Sequence, residues 1–413
     1  MKFAKIIAAI AVAACLSVVA VGCSSGSASS ASASGSASSA SASASAASSS
    51  ASASSASASA SADQAAADEV AALIDAIYVQ NFTDKTYEQC EAAKKAWDAL
   101  TPAQQELVKG EEADPGYFGD DTGDASKDDP LNADGIGENE ILVVSFGTSF
   151  NDNRVASIGA VEKAIQAAFP DWSVRRAFTA QIIMNHIYAR DGEKIDNVQQ
   201  ALERAKANGV KNLVVQPTHL MHGAEYDELV EALEPFKADM NIVVAEPLLG
   251  EVGADATVIN EDKNAVAAAV YAAANEAAGA DPETAFVFMG HGTSHTANVT
   301  YDQMQTVMEQ LGFKNAFIGT VEGEPEDTAC EAVIAKVKDA GFKKVILRPL
   351  MVVAGDHANN DMADPEDPES WYSQFKASGA FDSVDCQING LGEMPAVQAL
   401  YVSHAGEAIS KVQ

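Results

Sequence analysis

Three side chains that could bind a metal ion follow three apolar segments in the second half of the chain. His291 lies between two glycines directly after the run that ends at Met289, and His357 follows the run that ends at Pro349. Glu322 follows the apolar run that lies between these two in the sequence. Imidazole and carboxylate ligands together suit Co²⁺, Fe²⁺, Ni²⁺ or Zn²⁺, and histidine also exchanges protons near neutral pH. These residues therefore predict a metal or proton-transfer site.

Each of these residues also has a structural interpretation. A histidine in a glycine turn can simply donate to a neighbouring carbonyl group, and the polar residues around His357 can cap the helix that follows. One of them, Asp356 or Asp361, could instead orient the His357 ring from behind; Asn359 and Asn360 complete the polar cluster. Three such residues at successive strand ends favour the metal site over three separate structural roles.

An internal repeat contains the candidate ligands on one side only. The run ILVVSFGTSF, which starts at Ile141, recurs as AFVFMGHGTSH from Ala285. A second pair of segments, LVVQPTHLMHGAEY and ILRPLMVVAGDHAN, keeps the same separation between its Pro and its Gly. Only the second copy has a histidine inside the first turn and another just past the second glycine. The repeat predicts two similar units, one of which carries the metal ligands.

The first copy has polar residues of its own at the matching loop. We expect them to shape the opposite wall of the site, although a core or surface position explains each of them equally well: His219, His222, Glu225 and Tyr226. His295 follows His291 by four residues, but in a turn this spacing is no metal motif. His186 and His404 fall on predicted helices and are interpreted as structural.

From residue 140 onward, strand-length apolar runs alternate with amphipathic helices, as in Ile141–Phe146 followed by Arg154–Phe169. Such alternation predicts an α/β fold of two similar Rossmann-like domains, 140–280 and 281–413, each a parallel sheet flanked by helices. Ligands bind at the carboxyl ends of the strands in sheets of this kind. All the candidate residues fall at those ends.

The first 62 residues predict export and tethering. Residues 1–23 have a short basic start and an apolar stretch that ends at Cys23, typical of a bacterial lipoprotein signal peptide with Cys23 as the lipidated residue; an ordinary secretory signal is the alternative. Residues 24–62 are almost entirely Ser, Ala and Gly, which predicts a disordered tether. The protein is therefore expected on the outer face of the cytoplasmic membrane.

Two further segments precede the α/β region. Residues 63–110 show helical spacing and predict a small helical segment, in which Thr101-Pro102 starts a short helix. Residues 111–139 are acidic and rich in Gly, Pro and Asp, which predicts a linker. Cys90, Cys330 and Cys386 have neither disulfide nor zinc-knuckle spacing, and free thiols are expected.

The segment from about Glu140 to the C-terminus resembles the CbiK-type anaerobic sirohydrochlorin cobaltochelatases, of the class II chelatase superfamily that includes ferrochelatase. The matching segments run in order through both halves: LVVSFGTSF, FPDWSVRRAFTA, THLMHGAEYDELV, FVFMGHGTSH, GTVEGEP, LRPLMVVAGDHANNDMA and NGLGEMPAV. The resemblance implies two α/β domains around a cleft that holds a tetrapyrrole. It places the metal ligands at His291, Glu322 and His357, the residues already reached from their positions.

The implied reaction inserts a divalent metal into the tetrapyrrole for anaerobic cobalamin-type biosynthesis, with Co²⁺ first and Fe²⁺ or Ni²⁺ as alternatives. His291 and His357 would be ligands and proton acceptors, and Glu322 the third ligand. A substrate with many carboxylates would need basic partners in this acidic chain. The candidates are Arg154, Arg175, Arg176 and Arg348.

Export departs from the family, whose members are largely cytoplasmic. The alternative function is therefore a lipoprotein outside the cytoplasm that binds haem, another tetrapyrrole or a metal ion without turnover. The formal net charge of −33 argues against a nucleic-acid partner, since phosphates require a basic surface. The expected partners are a tetrapyrrole, a metal ion, the membrane through the lipid on Cys23 and, in an oligomer, a second copy of the chain.

Overall fold

The computed structural model describes residues 47–412, with side chains from residue 60 onward. The predicted signal peptide and the tether up to residue 46 lie outside the described residues. Helix α1 spans Ala47–Ile77, so it includes residues 47–62 of the predicted tether. Alanine is the strongest helix former, and this Ser/Ala run continues a helix whose later turns are packed. Within residues 47–412, no helix is both long and apolar enough to cross a bilayer.

An N-terminal helical unit, residues 47–127, precedes the sheets. After α1 it contains α2 (Thr86–Asp98), α3 (Pro102–Gln105) and α4 (Gly116–Gly119). The predicted start of α3 is confirmed, because the Thr101 amide donates to Gln104 Oε1 at 2.8 Å in a capping box. The Asp75 carboxylate accepts from the three successive amides of residues 111–113 and folds this segment back onto α1.

The first sheet is parallel throughout and has the strand order β2-β1-β3-β4. Its strands and the helices that follow them alternate as predicted: β1 (Asn139–Ser145), α5 (Asn151–Ala156), α6 (Ile158–Ala168), β2 (Ser173–Phe178), α7 (Gln181–Asp191), α8 (Val198–Asn208), β3 (Asn212–Pro217), α9 (Ala224–Leu233), β4 (Asn241–Val244) and α10 (Glu261–Ala277).

The second sheet repeats this topology, with the order β6-β5-β7-β8 and parallel pairing throughout. Its elements are β5 (Thr284–Gly290), α11 (Val299–Gln310), β6 (Ala316–Thr320), α12 (Cys330–Asp339), β7 (Lys344–Pro349), α13 (Trp371–Ala377), β8 (Ser383–Cys386) and α14 (Pro395–Val412). The identical strand orders confirm the α/β class and the repeat inferred from the sequence.

Two helices, α7 and α13, are absent from the sequence-based prediction, and the predicted helix 154–169 is divided at Ser157. Helix α7 is covered on several sides, since it packs against α1 and α2 as well as its own domain. Asn185 on α7 donates to the Ile77 carbonyl at 2.8 Å, and the His186 ring stacks on Tyr117 at 4.1 Å. A helix buried on several faces shows no single apolar stripe, so its periodicity is hidden.

The C-terminal helix α14 does not stay with the second sheet. It packs on α6, β3 and β4 of the first half, and the Tyr401 hydroxyl donates to the Thr218 carbonyl at 2.7 Å. The predicted domain 281–413 is therefore wrong for its last helix. Apolar residues of α14, such as Val397, share one buried cluster with residues of both sheets, which joins the halves.

The segment 111–139, predicted as a linker, is instead part of the packed structure. Tyr117 and Phe118 are buried, and the Asp128 side chain is 3% exposed. Its carboxylate accepts from Arg154 Nε and from Arg176 Nη1, both at 2.6 Å. Acidic composition suggested solvation, but one of these acids forms ion pairs with two buried guanidinium groups, and Glu162 supplies a second carboxylate to Arg176.

Asp128→Ala should lower the free energy of unfolding by roughly 3–5 kcal/mol, because it leaves buried arginine charge uncompensated. Urea titration followed by circular dichroism measures this change. Asp171→Ala, which removes an exposed carboxylate, should stay within about 0.5 kcal/mol of wild type. Equal stability of the two variants would show that Asp128 does not hold the segment.

Candidate active site

The three predicted ligands lie at the carboxyl ends of three neighbouring strands. His291 follows β5 directly, Glu322 lies two residues after β6, and His357 lies in the loop after β7. Because β5 is the central strand of these three, His291 occupies the middle position. Sequence order had placed the Glu322 strand between the two histidine strands, and the sheet order corrects this.

The structure brings these three side chains together. His291 Nε2 lies 3.9 Å from Glu322 Oε1, and the rings of His291 and His357 have centroids 4.7 Å apart at an angle of 76°. The three side chains remain 24–33% exposed. His291 therefore lies beside both of the other predicted ligands, and all three side chains are partly open to solvent.

Both imidazoles have their Nδ1 atom in a hydrogen bond. His291 Nδ1 lies 2.8 Å from the Gly292 carbonyl oxygen, and His357 Nδ1 lies 2.7 Å from Asp361 Oδ2. A carbonyl oxygen can only accept, so the His291 Nδ1 carries the proton and its Nε2 keeps a lone pair. The Asp361 carboxylate orients His357 in the same sense. Metal-binding histidines are held in this way in general.

The turn at Gly292 needs a glycine. Its φ is +95°, and a Cβ there would lie 2.9 Å from Glu322 Cβ. The close approach lets the Glu322 amide donate to the His291 carbonyl at 2.9 Å. The GHG turn thus joins the β5 and β6 loops and fixes the separation of two predicted ligands.

The surroundings set the protonation of the three groups in different directions. Burial, with a smaller contribution from the neighbouring His357, lowers the pKa of His291. Burial alone would lower the pKa of His357, but the hydrogen bond and charge of Asp361 raise it. Burial raises the pKa of Glu322. His291 is consequently the imidazole that more readily stays neutral and offers a nitrogen lone pair to a metal ion.

The polar residues around His357 have two different roles. One orients the His357 ring, and another forms hydrogen bonds with the backbone. The turn Ala358–Met362 is π-helical and places Asp361 beside the His357 ring. Ligand atoms of Asp356, His357 and Asp361 all lie within 4.8 Å of one another. Asn359 donates to backbone carbonyl groups of its own loop instead. Asp361 is thus the residue that orients the ring, and Asn359 is structural.

The opposite wall carries the first-half residues. His222 Nε2 lies 3.1 Å from Glu246 Oε2, and its ring meets the edge of Tyr226. His219 Nε2 lies 3.6 Å from Glu225 Oε2. Of the two histidines, His219 is the one whose ring nitrogens have no hydrogen-bond partner among the described residues.

Glu225, expected only to shape the opposite wall, corresponds in the repeat to a predicted metal ligand. It lies two residues after Gly223, as His357 lies two residues after Gly355, so the repeat places it at the equivalent position. Burial, with a smaller contribution from Glu228, raises its pKa, although about half of the side chain (49%) remains exposed. Aligning the two copies residue by residue could have identified this correspondence.

The loops of the two halves also touch directly. His295 Nε2, from the second half, lies 3.3 Å from Asp227 Oδ2 at the start of α9. The Asn153 side chain accepts from the Ala354 amide at 2.8 Å. A Cβ at Gly355 would approach Thr148 Oγ1 to 2.6 Å. These contacts bring loops that follow β5 and β7 against loops and a helix of the first half.

The four arginines expected to bind substrate carboxylates are engaged elsewhere. Arg175 Nε donates to Glu140, and Arg348 Nη1 donates to Gln387. Arg154 and Arg176 share Asp128, as described above. All four are at most 4% exposed. The expectation that they line the cleft is therefore wrong, because their strands and helices direct them into the protein interior.

The two other predicted structural histidines have partners outside the site. His186 stacks on Tyr117, and His404 Nε2 lies 3.3 Å from Asp262 Oδ1. Cys90, Cys330 and Cys386 are free thiols, as expected. A cavity of about 630 Å³ separates the N-terminal helical unit from the His357 loop, with Asp356 and Asp361 on one side of it.

Comparison with known proteins identifies the family of this chain. Residues 139–410 match the cobalt chelatase (CbiK) family. The chain belongs to this family. It is 34% identical over 270 residues to the sirohydrochlorin cobaltochelatase of Salmonella typhimurium. The aligned region covers 65% of this chain and 96% of that protein. It is 32% identical over 272 residues to the sirohydrochlorin cobaltochelatase CbiKC of Nitratidesulfovibrio vulgaris, covering 65% and 90%.

This protein is thus an enzyme of the metal chelatase class. Among solved structures, the sirohydrochlorin chelatase SirB from Bacillus subtilis subspecies spizizenii in complex with cobalt matches with a TM-score of 0.42 and 13% identity. That match covers 67% of this chain and 97% of SirB. The N-terminal helical unit lies outside the residues that match the family. The comparisons give no support to haem as a ligand of this chelatase.

Asp361→Asn should lower the pKa of His357 and weaken Co²⁺ binding by about 10–100-fold, because the ring loses its anionic hydrogen-bond partner. NMR titration of the imidazole and absorption titration with Co²⁺ measure the two effects. Glu366→Gln, an exposed change in the same loop, should alter neither. An unchanged affinity in Asp361→Asn would mean that this carboxylate does not support a metal ligand.

Proposed function

We propose that this chelatase inserts Co²⁺ into sirohydrochlorin, using His291, Glu322 and His357 as metal ligands. The observation that carries the proposal is the adjacent pair of imidazoles whose Nδ1 atoms are both engaged, with His291 Nε2 3.9 Å from Glu322 Oε1. Sirohydrochlorin is proposed as the substrate because both relatives are sirohydrochlorin cobaltochelatases by name. The same ligands also suit Fe²⁺ and Ni²⁺, so cobalt rests on the family.

The reaction exchanges one divalent ion for two protons. Two pyrrole N–H bonds break, their electron pairs form bonds to the metal, and two protons leave, so no electron is transferred to or from the protein. His291 is suited to accept one proton, because burial keeps its imidazole neutral. A carboxylate on the other wall, Glu225, is suited to accept the second, since its raised pKa makes it a stronger base.

Glu322 has a different task from the histidines. Its carboxylate supplies negative charge that attracts the cation to the two imidazoles. Its position on the β6 loop, with the amide bound to the His291 carbonyl, prevents it from moving independently of His291. The metal would therefore be held by a preorganised set and released when the macrocyclic nitrogens replace these ligands.

The biological setting proposed is anaerobic cobalamin-type synthesis by a protein anchored outside the cytoplasm. The support is the segment that ends at Cys23, together with the Ser/Ala-rich run that follows it. A lipid on Cys23, with a second acyl group, would hold the protein at the membrane. The chelatase region would then act at the end of the tether and of helix α1.

The insertion reaction can be measured directly with the purified protein, sirohydrochlorin and Co²⁺ under anaerobic conditions, by the change in absorption of the macrocycle. His291→Ala and Glu322→Gln should each lower kcat/KM at least about 100-fold, because each removes a ligand or proton acceptor. Glu324→Gln, an exposed change two residues from Glu322, should retain wild-type rates. Tight tetrapyrrole binding by wild type without any turnover would refute the enzymatic function and favour a binding protein.

The membrane anchor is tested separately by labelling cells with a fatty-acid analogue. Wild-type protein should take up the label and sediment with membranes, whereas Cys23→Ser should do neither, because the thiol that accepts the lipid is gone. Cys90→Ser, a buried thiol within α2, should leave labelling unchanged. Label on the Cys23→Ser protein would place the modification elsewhere.

A further inference from the structure

His219 is a buried histidine whose side chain has no hydrogen bond in the described structure. It follows β3 by two residues, and its side chain is only 7% exposed. Among the described residues, neither its Nδ1 nor its Nε2 has a hydrogen-bond partner. Its backbone carbonyl accepts from the Leu248 amide at 3.0 Å, so the residue itself is fixed in place. Buried polar groups normally have partners, and this one requires an explanation.

A carboxylate on the helix that follows β3 lies near this buried ring. Glu225 Oε2 is 3.6 Å from His219 Nε2, which is longer than a hydrogen bond by less than 1 Å. Glu225 is in the first turn of α9 and half-exposed, so a change of side-chain rotamer can close this distance. His219, by contrast, is enclosed and cannot follow the carboxylate outward.

We propose that His219 is a positioning residue for Glu225, donating from Nε2 to one carboxylate oxygen so that the other is directed at a pyrrole N–H of the bound tetrapyrrole. This inference rests on the proposed function. The pyrrole N–H bond breaks, its proton moves to the free oxygen of Glu225, and the nitrogen electron pair becomes available to the metal. The proton then leaves from the exposed side of Glu225, and His219 stays neutral throughout.

The electrostatics of the pair agree with this division of roles. Burial lowers the pKa of His219 to about 4, so the ring is a neutral donor. A neutral donor orients the carboxylate with less loss of basicity than a cation would cause. The other ionisable groups near Glu225 are Glu228 on its own helix, which raises its pKa, and Tyr301 on α11, whose raised pKa keeps it uncharged.

Two substitutions at residue 219 separate positioning from packing. His219→Gln keeps an N–H donor near the position of Nε2, whereas His219→Leu keeps the volume and removes the donor. The leucine variant replaces an unsatisfied buried polar ring by an apolar side chain, so it should melt at the wild-type temperature or above. A merely structural role would predict the opposite.

In the anaerobic insertion assay, His219→Leu should lower kcat about 10–100-fold, while the KM for Co²⁺ changes by less than about 2-fold. His219→Gln should remain within about 3-fold of wild type. In a Glu225→Gln background, His219→Leu should cause no further loss, because the residue acts through Glu225.

Full activity in His219→Leu, equal loss in both residue-219 variants, or additive effects in the double variant would each refute the positioning role. In those cases, wild-type turnover would leave the proposed function intact. Absence of turnover in wild type itself would overturn both proposals. A thermal melt of each variant confirms that the comparisons are made between folded proteins.

Discussion

The parallel pairing of β5 with β6 and β7 is the constraint on which the site depends. Parallel strands end at the same edge of a sheet, so three loops separated by tens of residues must emerge together there. The backbone bond between the Glu322 amide and the His291 carbonyl then extends this pairing one step past the strands. The sheet therefore brings the three loops together, and the ordered turns at Gly292 and Ala358–Met362 then orient the side chains.

The N-terminal addition is joined to the same framework by charge. Asp128 lies outside the family-matching residues, yet its carboxylate binds Arg154 and Arg176 within the first half. Arg154 also donates to the Thr148 carbonyl, which lies in the turn equivalent to that of His291. The helical unit is thus connected, through two buried guanidinium groups, to a loop at the edge of the site.

Much of this arrangement could be predicted from the sequence, because it depends on local patterns. Apolar runs identified the strands, the GHG turn identified His291, and the repeat identified two matching domains. The failures share a physical cause, which is that pairing between distant residues leaves no local pattern. The sequence does not show that Arg175 and Arg176 are bound by buried carboxylates and cannot reach a substrate. Helix α7 has no apolar stripe because several elements cover it. The position of α14 on the opposite sheet likewise depends on tertiary packing alone.

The duplication also accounts for the difference between the two walls. Gly147 and Gly292 both have positive φ, +108° and +95°, so the turn backbone is preserved in both halves. The residue before each glycine differs, since Phe146 stands where the second half has His291. Glu225 similarly stands where the second half has His357. Under the proposed function, a flat macrocycle between these walls receives the metal from one face and loses a proton from the other. Two identical walls would compete for the metal. With His291 and His357 holding the metal on one wall and Glu225 accepting a proton on the other, the reaction has a direction.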